Sequence, residues 1–111
     1  MMALSRNDGQ KKELSHIIEL GGGYSFNTKI HRLCKEEKEV SLSKNALKLI
    51  ELLSRHKNTT VSYEQICLHI WGEHKSENTL RSLVHRIRAH VDVNLIQNIN
   101  GVGYKIAVNA S

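Results

Sequence analysis

A chain of 111 residues, 40% apolar and 24% charged, has the size and balance of one globular domain, which excludes a second full domain and a disordered chain. Its longest apolar cluster, Ala46 to Leu53, is interrupted by Lys48 and Glu51 and falls far short of the ~18 apolar residues of a spanning helix. Sixteen Lys and Arg against eleven Asp and Glu give a net charge of +5, and residues 43–111 hold nine basic and five acidic groups, so an anionic partner is expected for the later part of the chain.

Residues 1–14 are polar, lack a signal-peptide core and read as a linker or added tail ahead of a domain spanning residues 15–109. Cys34 and Cys67 lack a Cys-x-x-Cys spacing and are expected to be reduced, in a cytoplasmic protein. Ile17, Ile18 and Leu20 stop at Gly21-Gly22-Gly23, and Tyr24 and Phe26 alternate with polar residues beyond, which predicts strand, turn and strand. The triple glycine lacks the Gly-Lys-Ser/Thr and following helix of a phosphate loop. Ile30, Leu33 and Cys34, a polar turn at 35–38, then Val40 and Leu42 predict a second hairpin.

Ser43 stands as an N-cap before Ala46, Leu49, Ile50 and Leu53, which predicts a first helix over 44–56. Val61 adds a strand residue, and Ser62 with Gln65 forms a capping box for a second helix ending near Trp71-Gly72. Ser76 caps a third helix whose core stripe is Leu80, Val84, Ile87 and Val91. Ile96 and Ile99 lead into Asn100-Gly101-Val102-Gly103, followed by alternating Tyr104, Ile106 and Val108, which predicts a closing hairpin. Three helices with short connections and a terminal hairpin follow the order of a winged helix-turn-helix, an α+β fold.

Helical rotation of about 100 degrees per residue places Asn78, Ser82, His85, Arg86 and Ala89 opposite the core stripe of the third helix. Arg81 and Arg88 fall on one flank, Thr79 and Leu83 on the other, and no Asp or Glu occupies this face. A solvated helix ordinarily mixes signs, whereas long donors among small side chains suit a polyanion. Arg forks onto guanine O6 and N7 and Asn bridges adenine N6 and N7, which makes Arg86 and Asn78 the expected base readers, while Ser82 and Ala89 let the helix approach the groove floor. Arg81 and Arg88 are expected on phosphates. The glycines around Val102 would permit positive backbone dihedrals and close approach to a sugar-phosphate edge.

Histidine pairs His69/His74 and His85/His90 are five apart, a rotation of about 140 degrees that separates them, so no metal is expected. No paired carboxylates, Cys-His couple or serine elbow suggests catalysis, and neither an enzyme nor a cofactor is expected.

The stretch 76–88, Ser-Glu-Asn-Thr-Leu-Arg-Ser-Leu-Val-His-Arg-Ile-Arg, followed by Leu95 to Ile106, resembles the recognition helix and wing of OmpR/PhoB-type response-regulator effector domains. Leu42-Ser43, Val61 to Ile66 and Trp71-Gly72 extend the resemblance over residues 17–108. It implies an N-terminal antiparallel four-stranded sheet, a three-helix core and a C-terminal β-hairpin wing, binding double-stranded promoter DNA, commonly as a dimer on tandem half-sites, under a phosphorylated receiver domain and its sensor kinase. Carried over by position, its base and phosphate contacts fall on Asn78, Thr79, Ser82, Leu83, Arg86 and Arg88, with Val102 and Lys105 from the wing. Leu83 is implied to touch a thymine methyl, although periodicity sets it beside the core. The loop Glu73-His74-Lys75 is implied to contact RNA polymerase. Arg81, Asn100 and Ala46 depart from residues common in the family, making the helix more basic and the wing less so. The competing expectation is a winged helix that docks an acidic protein or dimerises without reading DNA.

Overall fold

Apolar alternation folds the first segment into four short antiparallel strands, β1 (Ile17–Gly21), β2 (Tyr24–Asn27), β3 (Arg32–Lys35) and β4 (Lys38–Val40), hydrogen-bonded in chain order. The computed structural model describes residues 16–108, so the expected tail at 1–14 and the domain's last residue, Asn109, lie outside the described residues. Ile18, Phe26, Leu33 and Val40 fall in register across the sheet, and this row, with Leu20 and Tyr24, faces the helices. Gly21, Gly22 and Gly23 all take positive φ, the left-handed conformation that a β-carbon disfavours, which turns the first hairpin. Ile30 stays out of the second hairpin. The Asn27 carboxamide oxygen accepts from the Lys29 and Ile30 backbone N–H groups, and this Asx turn leaves Ile30 exposed.

Helix α1 (Lys44–Arg55) begins where Ser43 accepts from the Ala46 backbone N–H at 3.2 Å, and it buries Ala46, Leu49, Ile50 and Leu53 against the sheet and the other helices. Glu51 is the charged exception on its inner side. It is buried, but Arg55 donates to it at 3.0 Å, as a carboxylate removed from water requires, and the His31 ring lies 3.4 Å from its other oxygen. A two-residue strand, β5 (Val61–Ser62), runs into α2 (Tyr63–Trp71), whose N-cap Ser62 accepts from the Gln65 N–H at 3.1 Å. The Gln65 side chain faces the Ser62 hydroxyl at 3.4 Å, a variant of the expected box in which the carboxamide oxygen accepts. Gly72, at φ 73, ends the helix.

Helix α3 (Glu77–Arg88) closes the trihelical core with Leu80, Leu83, Val84 and Ile87. Val91, expected on the helix stripe, lies beyond its C-cap at Ala89 and still packs into the core. The chain ends in β6 (Gln97–Ile99) and β7 (Gly103–Lys105), with β7 between β6 and β5 in a three-stranded sheet. Ile106 and Val108 fall outside β7 because Asn58 takes over their backbone: its N–H donates to the Ile106 carbonyl at 2.8 Å and its side chain accepts from Val108 at 2.6 Å.

Candidate nucleic-acid interface

The outer side of α3 is open. Asn78, Thr79, Arg81, Ser82, His85, Arg86 and Ala89 are all exposed, and five of them, Asn78, Arg81, Ser82, His85 and Arg86, line one shallow depression. Ser76 presents this helix by accepting from the Thr79 N–H at 3.3 Å, and the Thr79 hydroxyl lies 3.1 Å from the same serine. Neither Arg81 nor Arg86 forms an ion pair with a carboxylate among the described residues. Glu77, the helix's one acid, sits in the first turn, where it complements the helix dipole. The depression is therefore a concave basic surface with unneutralised donors. His85 belongs to it although residue type alone assigned it no contact; helical spacing was the signal that placed it there.

Two expected contact residues sit elsewhere. Leu83 is 4% exposed and part of the hydrophobic core, because α3 meets α1 and α2 over a stripe wide enough to include it. Almost none of its surface is left for a thymine methyl, which corrects the expectation in favour of periodicity. Arg88, expected on a phosphate, turns inward: its Nη2 donates to the Ile96 carbonyl at 2.6 Å, and its Nε is buried without a hydrogen-bond partner among the described residues.

The wing stands beside α3. At its tip Gly101 takes φ 77 and Val102 is half exposed, while Lys105 on β7 is partly buried. Gly103 has an internal reason for being glycine: a β-carbon there would stand 1.8 Å from the Val61 carbonyl oxygen, so its close approach is to β5 and not to a ligand. Tyr104 is buried within the wing, edge-on to Tyr63 with ring centroids 5.7 Å apart. Burial pushes its phenol above the usual tyrosine range, Tyr63 adds to the rise, and the positive charges of Arg81 and Arg88 oppose it. The loop between α2 and α3 exposes Glu73 and His74, with Lys75 paired to Glu73 at 3.2 Å.

Residues 37–106 match the family model described as "Transcriptional regulatory protein, C terminal". The chain belongs to this family, the winged-helix DNA-binding domains of OmpR/PhoB-type response regulators. Regulatory protein VanR of Enterococcus faecium is 28% identical over 103 residues, covering 86% of this chain and 45% of the relative. The C-terminal domain of the nisin resistance regulator NsrR, a lantibiotic response regulator, is 30% identical with a TM-score of 0.63, over 79% of this chain and 95% of that one. The DNA-binding domain of CpxR from E. coli superposes with a TM-score of 0.75 at 16% identity, over 85% of this chain and 98% of that one, a likeness of fold. The chain spans about half the length of the curated relatives it matches.

The OmpR/PhoB-type domain thus accounts for both sheets, the trihelical core and the wing, and its function is DNA binding in transcription regulation. Among the described residues of this winged-helix domain no group of three or more His, Cys, Asp or Glu is placed to hold a metal ion, and no helix is long and apolar enough to cross a membrane.

Proposed function

We propose that this domain is the effector part of a phosphorylation-controlled response regulator, with α3 lying in the major groove of promoter DNA and the wing on flanking backbone. The open, acid-free face of α3, with Arg81 and Arg86 unpaired, carries the reading. Asn78, Ser82 and Arg86 read bases, the small Ser82 admitting the helix to the groove floor. Thr79, Arg81, Val102 and Lys105 fix register on phosphates and sugars, and His85 joins them from the same depression. Two protomers occupy tandem half-sites, since one helix and one wing cover only a short stretch of duplex. A receiver domain and its sensor kinase control the pair in the cytoplasm, and the exposed Glu73-His74-Lys75 loop contacts RNA polymerase.

Titration of duplex DNA at several salt concentrations tests this. Counterion release makes the affinity fall steeply with salt, by a log–log slope of about 0.9 for each phosphate neutralised. A binding constant indifferent to salt and sequence, with tight salt-insensitive association to a protein, contradicts it and favours a protein-interaction module.

A further inference from the structure

The wing is tied to the helices at three heights. At the base, Arg88 from the last turn of α3 donates to the carbonyl of Ile96, the residue before β6. At mid-height, Tyr104 of β7 packs edge-on to Tyr63 of α2, and the Tyr63 phenol donates to Asn98 Oδ1 on β6 at 3.2 Å. At the tip, the Tyr63 backbone N–H donates to the Val102 carbonyl at 3.1 Å. The upper two ties come from α2. From α3, Arg88 donates to the base of the wing, and the Arg81 guanidinium also neighbours the Tyr104 phenol of β7.

We propose that Arg88 is a positioning residue: it sets the wing against α3 so that both meet the duplex as one rigid unit, and it touches no phosphate. The inference rests on the DNA-binding reading above. Its guanidinium is half-buried, forms no ion pair among the described residues and directs Nη2 to a neutral carbonyl, with Nε enclosed. Swinging it out to a phosphate would break that bond and leave the Ile96 carbonyl without its donor, a loss that a surface arginine does not face. Two contact elements held at a fixed spacing bind with a high effective concentration of the second once the first is seated. A wing free to drift must be ordered at the moment of binding, and affinity falls.

Arg88→Met keeps the apolar stem and removes the donors, whereas Arg88→Lys keeps a charge and a donor. Using the 111-residue chain and a duplex selected for tight binding, Arg88→Met is expected to weaken binding by about tenfold or more. The salt slope should stay unchanged. Without DNA, the amides of Val102 and Tyr104 should exchange faster than in the wild type while those of α1 keep their protection. Arg88→Lys should recover part of the affinity. A slope shallower by about 0.9 with wing exchange unaltered makes Arg88 a phosphate contact and overturns the proposal, as does unaltered affinity. Wing exchange is read without DNA, so faster exchange in a chain whose wild type ignores duplexes sinks the DNA reading and not the tie. If Arg88→Met does not fold, Asn98→Ala removes the exposed tie from Tyr63; the same pattern at smaller amplitude is expected, and unaltered wing exchange and affinity overturn the proposal.

Discussion

The outer face of the N-terminal sheet and the outer face of α3 both look into solvent, yet they treat charge in opposite ways. On the sheet's outer face Arg32 is paired with Glu39 across neighbouring strands, and at the rim of its helix-facing side Lys35 lies over the Tyr24 ring at 4.9 Å and 4.0 Å from Asp92. On α3, Arg81 and Arg86 have no carboxylate partners among the described residues, and the side chains between them are small or neutral. A paired surface gains little from an incoming anion, since each new contact must displace an old one. An unpaired basic face inside a concave surface retains its full field for a phosphate or a base edge. Exposure alone does not separate the two faces; the partners of each charge do.

The sharpest way to break this contrast is to move the boundary of the α3 face. Leu83→Ala, if Leu83 is core, costs about 2 to 5 kcal/mol of folding stability in a chemical denaturation and leaves base preference as it was. A mild loss of stability with a changed preference at one A·T pair would return Leu83 to the interface. Next in size is Gly103→Ala, which drives a methyl into the Val61 carbonyl and is expected to cost near the upper end of the ~1 to 3 kcal/mol usual for overpacking. Its signature is a lowered melting temperature and weaker DNA binding together, because the wing loses its seat on β5. Ser76→Ala removes the cap that presents α3 and should cost about 1 kcal/mol in the same denaturation experiment, with base preference retained. The smallest effect belongs to Lys105→Ala, which should weaken all duplexes alike and reduce the salt slope by about 1 in the titration. Discrimination among sequences altered by that change would place a reader on the wing.

Much of this architecture was legible because local signals and tertiary packing agree. Ser43, Ser62 and Ser76 each cap the helix their position announced, and the apolar stripes of α1 and α3 are the ones that became core. Strand ends were less legible. Ile30 left its strand because the Asn27 side chain captured the following N–H groups, and Ile106 and Val108 left theirs because Asn58, fifty residues before Val108, took their hydrogen bonds. Neither competition is visible as a period in the chain.

The same division runs through the interface. Helical rotation identified the open face, including His85, but an arginine's direction depends on what stands beside it. Arg86 and Arg88 are two residues apart and chemically alike; one faces solvent, and the other is drawn to a carbonyl eight residues ahead of it in the chain. Gly103 likewise announced close approach without saying to what, and the answer was the β5 backbone. Charge type and spacing were readable from the chain, whereas the partner that consumes each donor emerged only from the packed fold.

A base-by-base substitution scan of a selected half-site, run with the wild type and with Arg86→Ala, tests the seating of α3 most directly. The expected result is a loss of about 1 to 3 kcal/mol on the preferred duplex, with discrimination collapsing at one base pair and persisting at the others. An identical preference pattern and undiminished affinity in the variant would mean that this side of α3 does not enter the groove.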